Sequence, residues 1–430
     1  MIIDPTVVLF AGMFLLLGLG APLAIAFGLV GMGVIAALSL GIMSIPINVY
    51  SGVAKYPLLA LPMFIVAGLF FERAGIAIRL VRVAQALIGN RRGGLGLVAI
   101  LVSMFLGGIS GSGPADAAAV ATVLIPVMAR QGYPAPFSAS LIAAAGSTAI
   151  LIPPSIAFII YAVLMPGVSV PTLFAAGLIP GILAGLSLVI PTVWFATRNG
   201  WGDPDGGEKL SLWRCLREAS WGLFAPILVL GGMRSGAFTP TEAAVVAAVY
   251  GLLVGMFVYR TLTLRMVWQV FNEAAEVSAV VLIIVGLVTV FAHAGSALGS
   301  FEILARSLIA LTSNGTVAIL LVALFLLIAG MFLDAVSIQL VFIPVFAPVA
   351  LAYHWDLTWF GVVMTMCLAI GQFTPPMAVN LMVTSRIGGI TMESTVPWVL
   401  WMVGSMTVAM LAVILVPDLA LWLPRVMGFE

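Results

Sequence analysis

Charge is scarce in this chain. Only 8% of its 430 residues are Asp, Glu, Lys or Arg, against about 25% in soluble domains, so a water-facing surface cannot be assembled from it. Cysteine is scarcer: Cys215 and Cys367 stand alone in different segments, which excludes a disulfide framework and any zinc-ligand spacing. The two histidines, His293 and His354, are isolated near the ends of apolar segments and read as interfacial rather than as proton carriers. No HExxH motif and no aspartate-rich pair for metal or diphosphate occurs. A net charge of +1 argues against a nucleic-acid partner.

What is present is apolar. Hydrophobic residues make up 63% of the chain, its mean hydropathy is +1.25, and apolar runs of about 20 residues recur along it. The fold expected is an all-α polytopic membrane protein in a lipid bilayer. The opening MIIDPTVVLF has neither a basic region nor a small-residue cleavage site, so the first helix reads as retained. Full spans are predicted over 6–38, 57–72, 134–165, 172–197, 220–234, 238–259, 278–295, 358–388 and 397–423. Segments 42–55, 73–90, 261–277 and 299–312 mix charges into a helical apolar pattern, as surface-lying helices do. Four short pieces remain, 93–109 with 115–129 and 315–330 with 334–349. At about 15 residues, each reaches only ~22 Å of a ~30 Å core. Each pair is expected to form a re-entrant hairpin, over 93–129 and 315–349.

The chain repeats itself. The offset that takes Asp116 onto Asp334 also takes Ile125-Pro126-Val127 onto Ile343-Pro344-Val345 and Gly68-Leu69 onto Gly286-Leu287. The IPPS at Ile152 finds a partner in the TPPM at Thr374. The first repeat is placed at 1–218, with hairpin 93–129, Pro-broken helix 134–165 and a cytoplasmic linker 197–218. The second is placed at 219–430, with hairpin 315–349 and broken helix 358–388. Segment 72–92 carries Arg73, Arg79, Arg82, Arg91 and Arg92, whereas its counterpart 290–310 carries only Arg306. Cytoplasmic loops collect Lys and Arg, so the repeats are expected to be inverted. With the N-terminus cytoplasmic and the C-terminus periplasmic, all but Lys55, Arg234, Arg306 and Arg425 of the 17 basic residues fall inside.

Inverted repeats with broken helices are the architecture of secondary transporters, whose sites lie at the breaks. Irregular backbone survives in hydrocarbon only where protein or a polar cavity covers it. The stretch GGISGSGPADAAA, Gly107 to Ala119, needs such a reason. A helix starting at Ser112 or Gly113 offers free N–H groups and a positive dipole end to an anion, and Pro114 suits its first turn. Asp116 in that turn is expected to cap the N–H groups. Glu242, after Thr239-Pro240-Thr241, is expected to complete a capping box. The prolines of ILIPPSIAF free carbonyls one turn earlier; with nearby hydroxyls and no His or Cys, these favour sodium over a transition metal. Ser112, Ser155 and Asn380 are the candidate substrate contacts.

SGSGPADAAA, AILIPPS, GAFTPTEAAVVAAVYGLL and GQFTPPMAVNLMV together resemble the large membrane subunit of the tripartite ATP-independent periplasmic (TRAP) transporters, over nearly the whole chain. The resemblance implies an elevator-type fold with a scaffold and a moving transport domain in the bacterial inner membrane. It implies sodium-driven uptake of a small organic anion such as a C4-dicarboxylate, a sugar acid or sialic acid. Its implied partners are a soluble periplasmic binding protein and a small four-helix membrane subunit, expected here on a separate chain. Sodium is the coupling ion and no cofactor is expected. By resemblance, one sodium site falls on Ser110, Ser112 and Gly113 with Ile152 and Pro153, the other on Gly330, Met331 and Asp334 with Gly371, Thr374 and Met377. Two other functions compete. A sodium/dicarboxylate symporter that works alone would share the hairpins. An intramembrane serine protease would use Ser110 of GISG as nucleophile, with His293 its only available base. An enzyme is not the expected reading.

Overall fold

Backbone groups in hydrocarbon must satisfy one another, and a helix does this within a single segment. The computed structural model describes residues 4–89, 91–202 and 211–429, and all regular structure among them is helical. Of the expected linker 197–218, residues 203–210 lie outside the described part. The chain opens with α1 (Pro5–Gly18), α2 (Leu23–Ala37) and α3 (Ser44–Val53), followed by α4 (Ala60–Arg73) and the short α5 (Ile76–Ile88). Helices α6 (Gly94–Ser110) and α7 (Gly113–Arg130) form the first hairpin. Next, α8 (Ala135–Ser147) and α9 (Ile156–Leu164) flank a break, and α10 (Val170–Ser187) and α11 (Val189–Asn199) follow. After α12 (Leu212–Arg234) and α13 (Pro240–Leu253) the order recurs: α14 (Leu264–Ala297), short α15 (Ser300–Leu311), and a hairpin of α16 (Gly315–Gly330) and α17 (Ala335–Ala352). Then α18 (Leu357–Gly371) and α19 (Val379–Ile387) flank the second break, before α20 (Val396–Leu415) and α21 (Asp418–Met427).

Helix pairs α6–α7 and α16–α17 cover the stretches 93–129 and 315–349, and α8–α9 and α18–α19 are interrupted at the Pro-Pro pairs. Three expectations are corrected. The stretch 6–38 is not one span but two helices, because Gly20 takes φ +83° and Pro22 stands at the N-cap of α2. Residues 261–277 and 278–295 are not a surface helix and a span but one helix, α14, of 34 residues. At 1.5 Å per residue it is ~51 Å long, so its charged first third can lie beyond a ~30 Å core; there Glu273 meets Arg73 at 2.5 Å. Finally, 397–423 divides at Pro417 into α20 and α21.

Packing crosses between the halves in pairs. Helix α2 lies on α14, with Gly31 pressed against the backbone of Phe291, while α13 lies on α4, with Gly251 against Phe70 and Phe71. Likewise α9 packs on α17 and α19 on α7. Helix α20 links the bases of the two hairpins: near its start Trp398 stacks edge-on with Phe137 beside the α7–α8 turn. Near its end Val413 O accepts from Trp359 Nε1 beside the α17–α18 turn, at 2.9 Å. The bases therefore sit at opposite ends of α20. At the N-terminus, Thr6 Oγ1 lies 3.0 Å from Ser300 Oγ, so the start of α1 and the start of α15 share one end of the bundle.

Candidate ion and substrate site

The two tips and the two breaks converge. At the first tip α6 ends on Ser110, Gly111 turns left-handed at φ +62°, Ser112 is extended and α7 begins at Gly113-Pro114. Ser110 Oγ donates to Asp116 Oδ1 at 2.6 Å and accepts from Ser112 N at 3.1 Å, which closes the turn. Gly111 lies against the backbone of the first break: a side chain there would run into Pro154 O. Gly113 faces the other repeat, where a methyl would sit 2.6 Å from Gln372 Oε1 and 3.1 Å from Asn380 Nδ2. At the second tip Gly330 and Gly371 touch backbone to backbone, and a methyl on Gly371 would lie 2.5 Å from Gly330 Cα. A continuous path of contact thus runs from Pro154 through Gly111 and Gly113 to Gln372, Gly371 and Gly330. Both breaks contain a cis Pro-Pro bond, Pro153-Pro154 and Pro375-Pro376.

Three buried oxygens at this junction lack donors. Asp116 Oδ2, Gln372 Oε1 and Asn380 Oδ1 are enclosed and have no hydrogen-bond partner among the described residues. Such atoms are rare in folded proteins and each costs free energy unless something compensates it. A small cation does so for several oxygens at once, and hard oxygen ligands suit sodium. Asn380 Nδ2 donates to Ala143 O at 3.3 Å and Asn380 N to Gln372 O at 3.0 Å, so the second break is tied to α8 of the first repeat.

The residues expected from sequence fare differently. Ser110, Ser112 and Gly113 are together at the first tip. Ile152 and Pro153 stand further back, near Gly108, and the tip instead meets Pro154 and Ser155. Ser155, expected to touch substrate, is fully buried; its Oγ donates to Ile150 O at 2.5 Å and accepts from Phe158 N. In the second set Gly330, Met331, Gly371, Thr374 and Met377 are neighbours: Met377 N donates to Met331 O at 3.2 Å, and Thr374 Oγ1 to Ile370 O at 2.6 Å. Asp334 is turned away. Its Oδ2 accepts from Val336 N and Ser337 N, and its Oδ1 from Ser337 Oγ, making it the N-cap of α17. Asp116 makes no such cap. It lies three residues inside α7, too far along to reach the first N–H groups. The capping role expected of Asp116 thus falls to Asp334 in the other hairpin. Glu242 closes a capping box with Thr239. Asn380 is fully buried at the junction. Sequence reasoning missed Gln372, although GQFTPPM displays a polar side chain at the end of an apolar helix. Ser110 bonds a carboxylate and no imidazole among the described residues.

The fold is one of polytopic membrane transporters. It is similar to the Alcanivorax borkumensis YdaH transporter, with a TM-score of 0.59, 16% identity and coverage of 96% of this chain and 98% of that one. It is also similar to Neisseria gonorrhoeae MtrF, with a TM-score of 0.60, 12% identity and coverage of 87% and 85%. More narrowly, residues 10–419 match the family of the tripartite ATP-independent periplasmic transporter, DctM component, and the chain belongs to that family. It is 33% identical to the C4-dicarboxylate TRAP transporter large permease protein DctM of Rhodobacter capsulatus, over 98% of this chain and 99% of that protein. It is 36% identical to the isethionate TRAP transporter permease protein DctMQ of Oleidesulfovibrio alaskensis, over 98% of this chain but 66% of that protein. It is a multi-pass membrane permease subunit and not an enzyme.

Proposed function

We propose that this chain carries a small organic acid into the cell against its gradient, driven by sodium, through a site where two inverted repeats cross. The observation that carries this reading is the set of partnerless buried oxygens on Asp116, Gln372 and Asn380 beside the first hairpin tip. One sodium is held at Ser110, Ser112 and Gly113 with the carbonyl of Pro154. A second is held among Gly330, Met331, Gly371, Thr374 and Met377. The free N–H groups at the start of α7, the Ser112 hydroxyl and Asn380 then receive the anion. The carboxylate class is supported by relatives named for C4-dicarboxylate and sialic acid.

The inverted arrangement is supported by the hairpin bases at opposite ends of α20 and by the reciprocal pairs α9–α17 and α19–α7. In the elevator reading, α6–α9 and α16–α19 move together against α2, α4, α13 and α14. The arginine-rich end, with Arg73, Arg79 and Arg82, faces the cytoplasm of a bacterium and the α15 end faces the periplasm. The bond between Thr6 and Ser300 supports placing the N-terminus with the α15 end, on the periplasmic side, in place of the cytoplasmic N-terminus expected from the sequence. The C-terminus is periplasmic. The partners are a periplasmic binding protein and a small membrane subunit; the DctMQ relative, longer than the part this chain matches, supports reading the two subunits as separable parts.

The test is uptake in proteoliposomes that contain both partners, with and without an imposed inward sodium gradient. Gradient-driven accumulation of the acid is expected, and Gln372→Ala should require several-fold more sodium for half-maximal rate. Accumulation indifferent to sodium would sink the coupling.

A further inference from the structure

A cavity of about 550 Å³ lies behind the first hairpin. Its walls come from α5, α6, α10, α11, α12 and the first break, and every lining residue is Ile, Leu, Met, Phe, Val, Gly or Pro. It runs along α6 from Leu97 to Gly108, about three turns or ~16 Å at 1.5 Å per residue. Its inner end is closed by Gly108, Ile152 and Pro153, which back directly onto the tip and break described above. Ile88 lines its other end, and there the character changes. The stem of Arg91 and the side chain of Ile88 lie side by side, 3.5 and 3.7 Å from the position a methyl on Gly94 would take. Arg91 and its neighbour Arg92 are exposed, and neither has an ion-pair partner among the described residues.

An apolar void of this size gains nothing from water, and its lining loses dispersion contacts if nothing fills it. The surrounding solvent within the bilayer is hydrocarbon. A slot that is apolar along its depth, with the stem of Arg91 beside its Ile88 end and the exposed Arg92 next in the chain, is complementary to one molecule type, an acyl chain carrying an anionic head. We propose that this cavity holds one acyl chain of an anionic phospholipid, with the phosphate head on Arg91 and Arg92. The chain end then packs against Gly108, Ile152 and Pro153, so the lipid forms the back wall of the first ion site. Only the leaflet assigned to it, the cytoplasmic one, rests on the transport reading above; the cavity and the arginines do not.

The test uses the full chain purified in detergent, titrated with phosphatidylglycerol or with phosphatidylcholine of the same acyl chains, and read by native mass spectrometry. One phosphatidylglycerol should be retained in preference to phosphatidylcholine. Arg91→Ala with Arg92→Ala should weaken that retention by at least about tenfold, in line with the attraction of two basic side chains to an anionic lipid. Leu101→Trp, which fills the slot, should displace the lipid. Ile182→Trp should do the same from the membrane-facing wall, where Ile182 is exposed and a larger side chain is easily borne. Leu324→Trp, exposed on α16 away from the cavity, should leave retention unchanged. Equal retention of both lipids, or normal retention in both slot-filling variants, would overturn the proposal. So would a slot-filling variant that keeps its lipid but no longer binds the small subunit, since a helix of that subunit would then be the occupant. Because binding is read by mass, it can fail while uptake stays sodium-driven, and the reverse.

Discussion

Two glycines one residue apart at the first tip meet different kinds of neighbour, and this separates folding from coupling. Gly111 is left-handed and faces the Pro154 carbonyl, which cannot move without moving the break. A methyl there is strained by its φ and blocked by backbone. Gly111→Ala is therefore expected to reduce the yield of monodisperse protein sharply. Gly113 faces the amides of Gln372 and Asn380, side chains that can turn aside. Gly113→Ala should extract normally yet need several-fold more sodium for half-maximal uptake, because the displaced oxygens belong to the proposed ion site. Measuring yield and sodium dependence side by side checks both; normal sodium dependence in Gly113→Ala would mean that Gln372 and Asn380 line nothing. The aspartates divide in the same manner. Asp334→Ala removes an N-cap, which costs about 1 kcal/mol, and should lower the thermal midpoint while leaving the sodium response intact. Asp116→Asn keeps the shape and should shift the sodium response, with little change in the midpoint. The reverse pattern, seen in thermal melts and sodium titrations, would restore the roles the sequence suggests.

The orientation of the helices is open to direct labelling. Single cysteines at Arg92, beside the base of the first hairpin, and at Ser313, beside the base of the second, should react with an impermeant maleimide from opposite sides, in a background without Cys215 and Cys367. Both positions are exposed. Two further sites decide the fate of α1 and α2: Asp4 should label with Ser313, and Leu19, in the turn between α1 and α2, with Arg92. Labelling of Asp4 and Arg92 from one side would return the N-terminus to the cytoplasm. These elements differ in how far the sequence reveals them. The hairpins were legible because Gly, Ser, Asn and Asp punctuate them: Asn314 caps α16 and Asp334 caps α17, each from its own side chain. The α1–α2 turn was not, because only Gly20 and Pro22 interrupt an apolar run that hydropathy cannot divide. The true length of α14 was hidden by its own charges, Arg265, Glu273 and Glu276, which mimic a surface helix although the backbone continues. At the site, composition marks where the chain breaks. It carries no register between halves, so nothing in it says that Gly113 of one repeat faces Gln372 of the other.

For the molecule as a whole, the lack of buried basic side chains among the described residues sets how it can hold an anion. Among the described residues Asp116 is the one buried carboxylic acid, and no Lys, Arg or His is buried. A carboxylate entering the junction therefore meets no buried side-chain cation, and an unpaired anion in a medium of low dielectric is strongly unfavourable. Only sodium ions and the positive ends of helices can balance it. Affinity for the free acid should consequently be weak and should vanish without sodium, so that capture from dilute solution falls to the soluble binding protein. The expected outcome is that proteoliposomes holding this chain alone take up no acid at micromolar concentration. Those holding the small subunit as well, supplied with loaded binding protein and a sodium gradient, should accumulate it. Replacing sodium by potassium should abolish uptake even with the binding protein saturated. Vigorous sodium-driven uptake by the chain alone would contradict the weak site argued from its charges and would make it a symporter that works by itself.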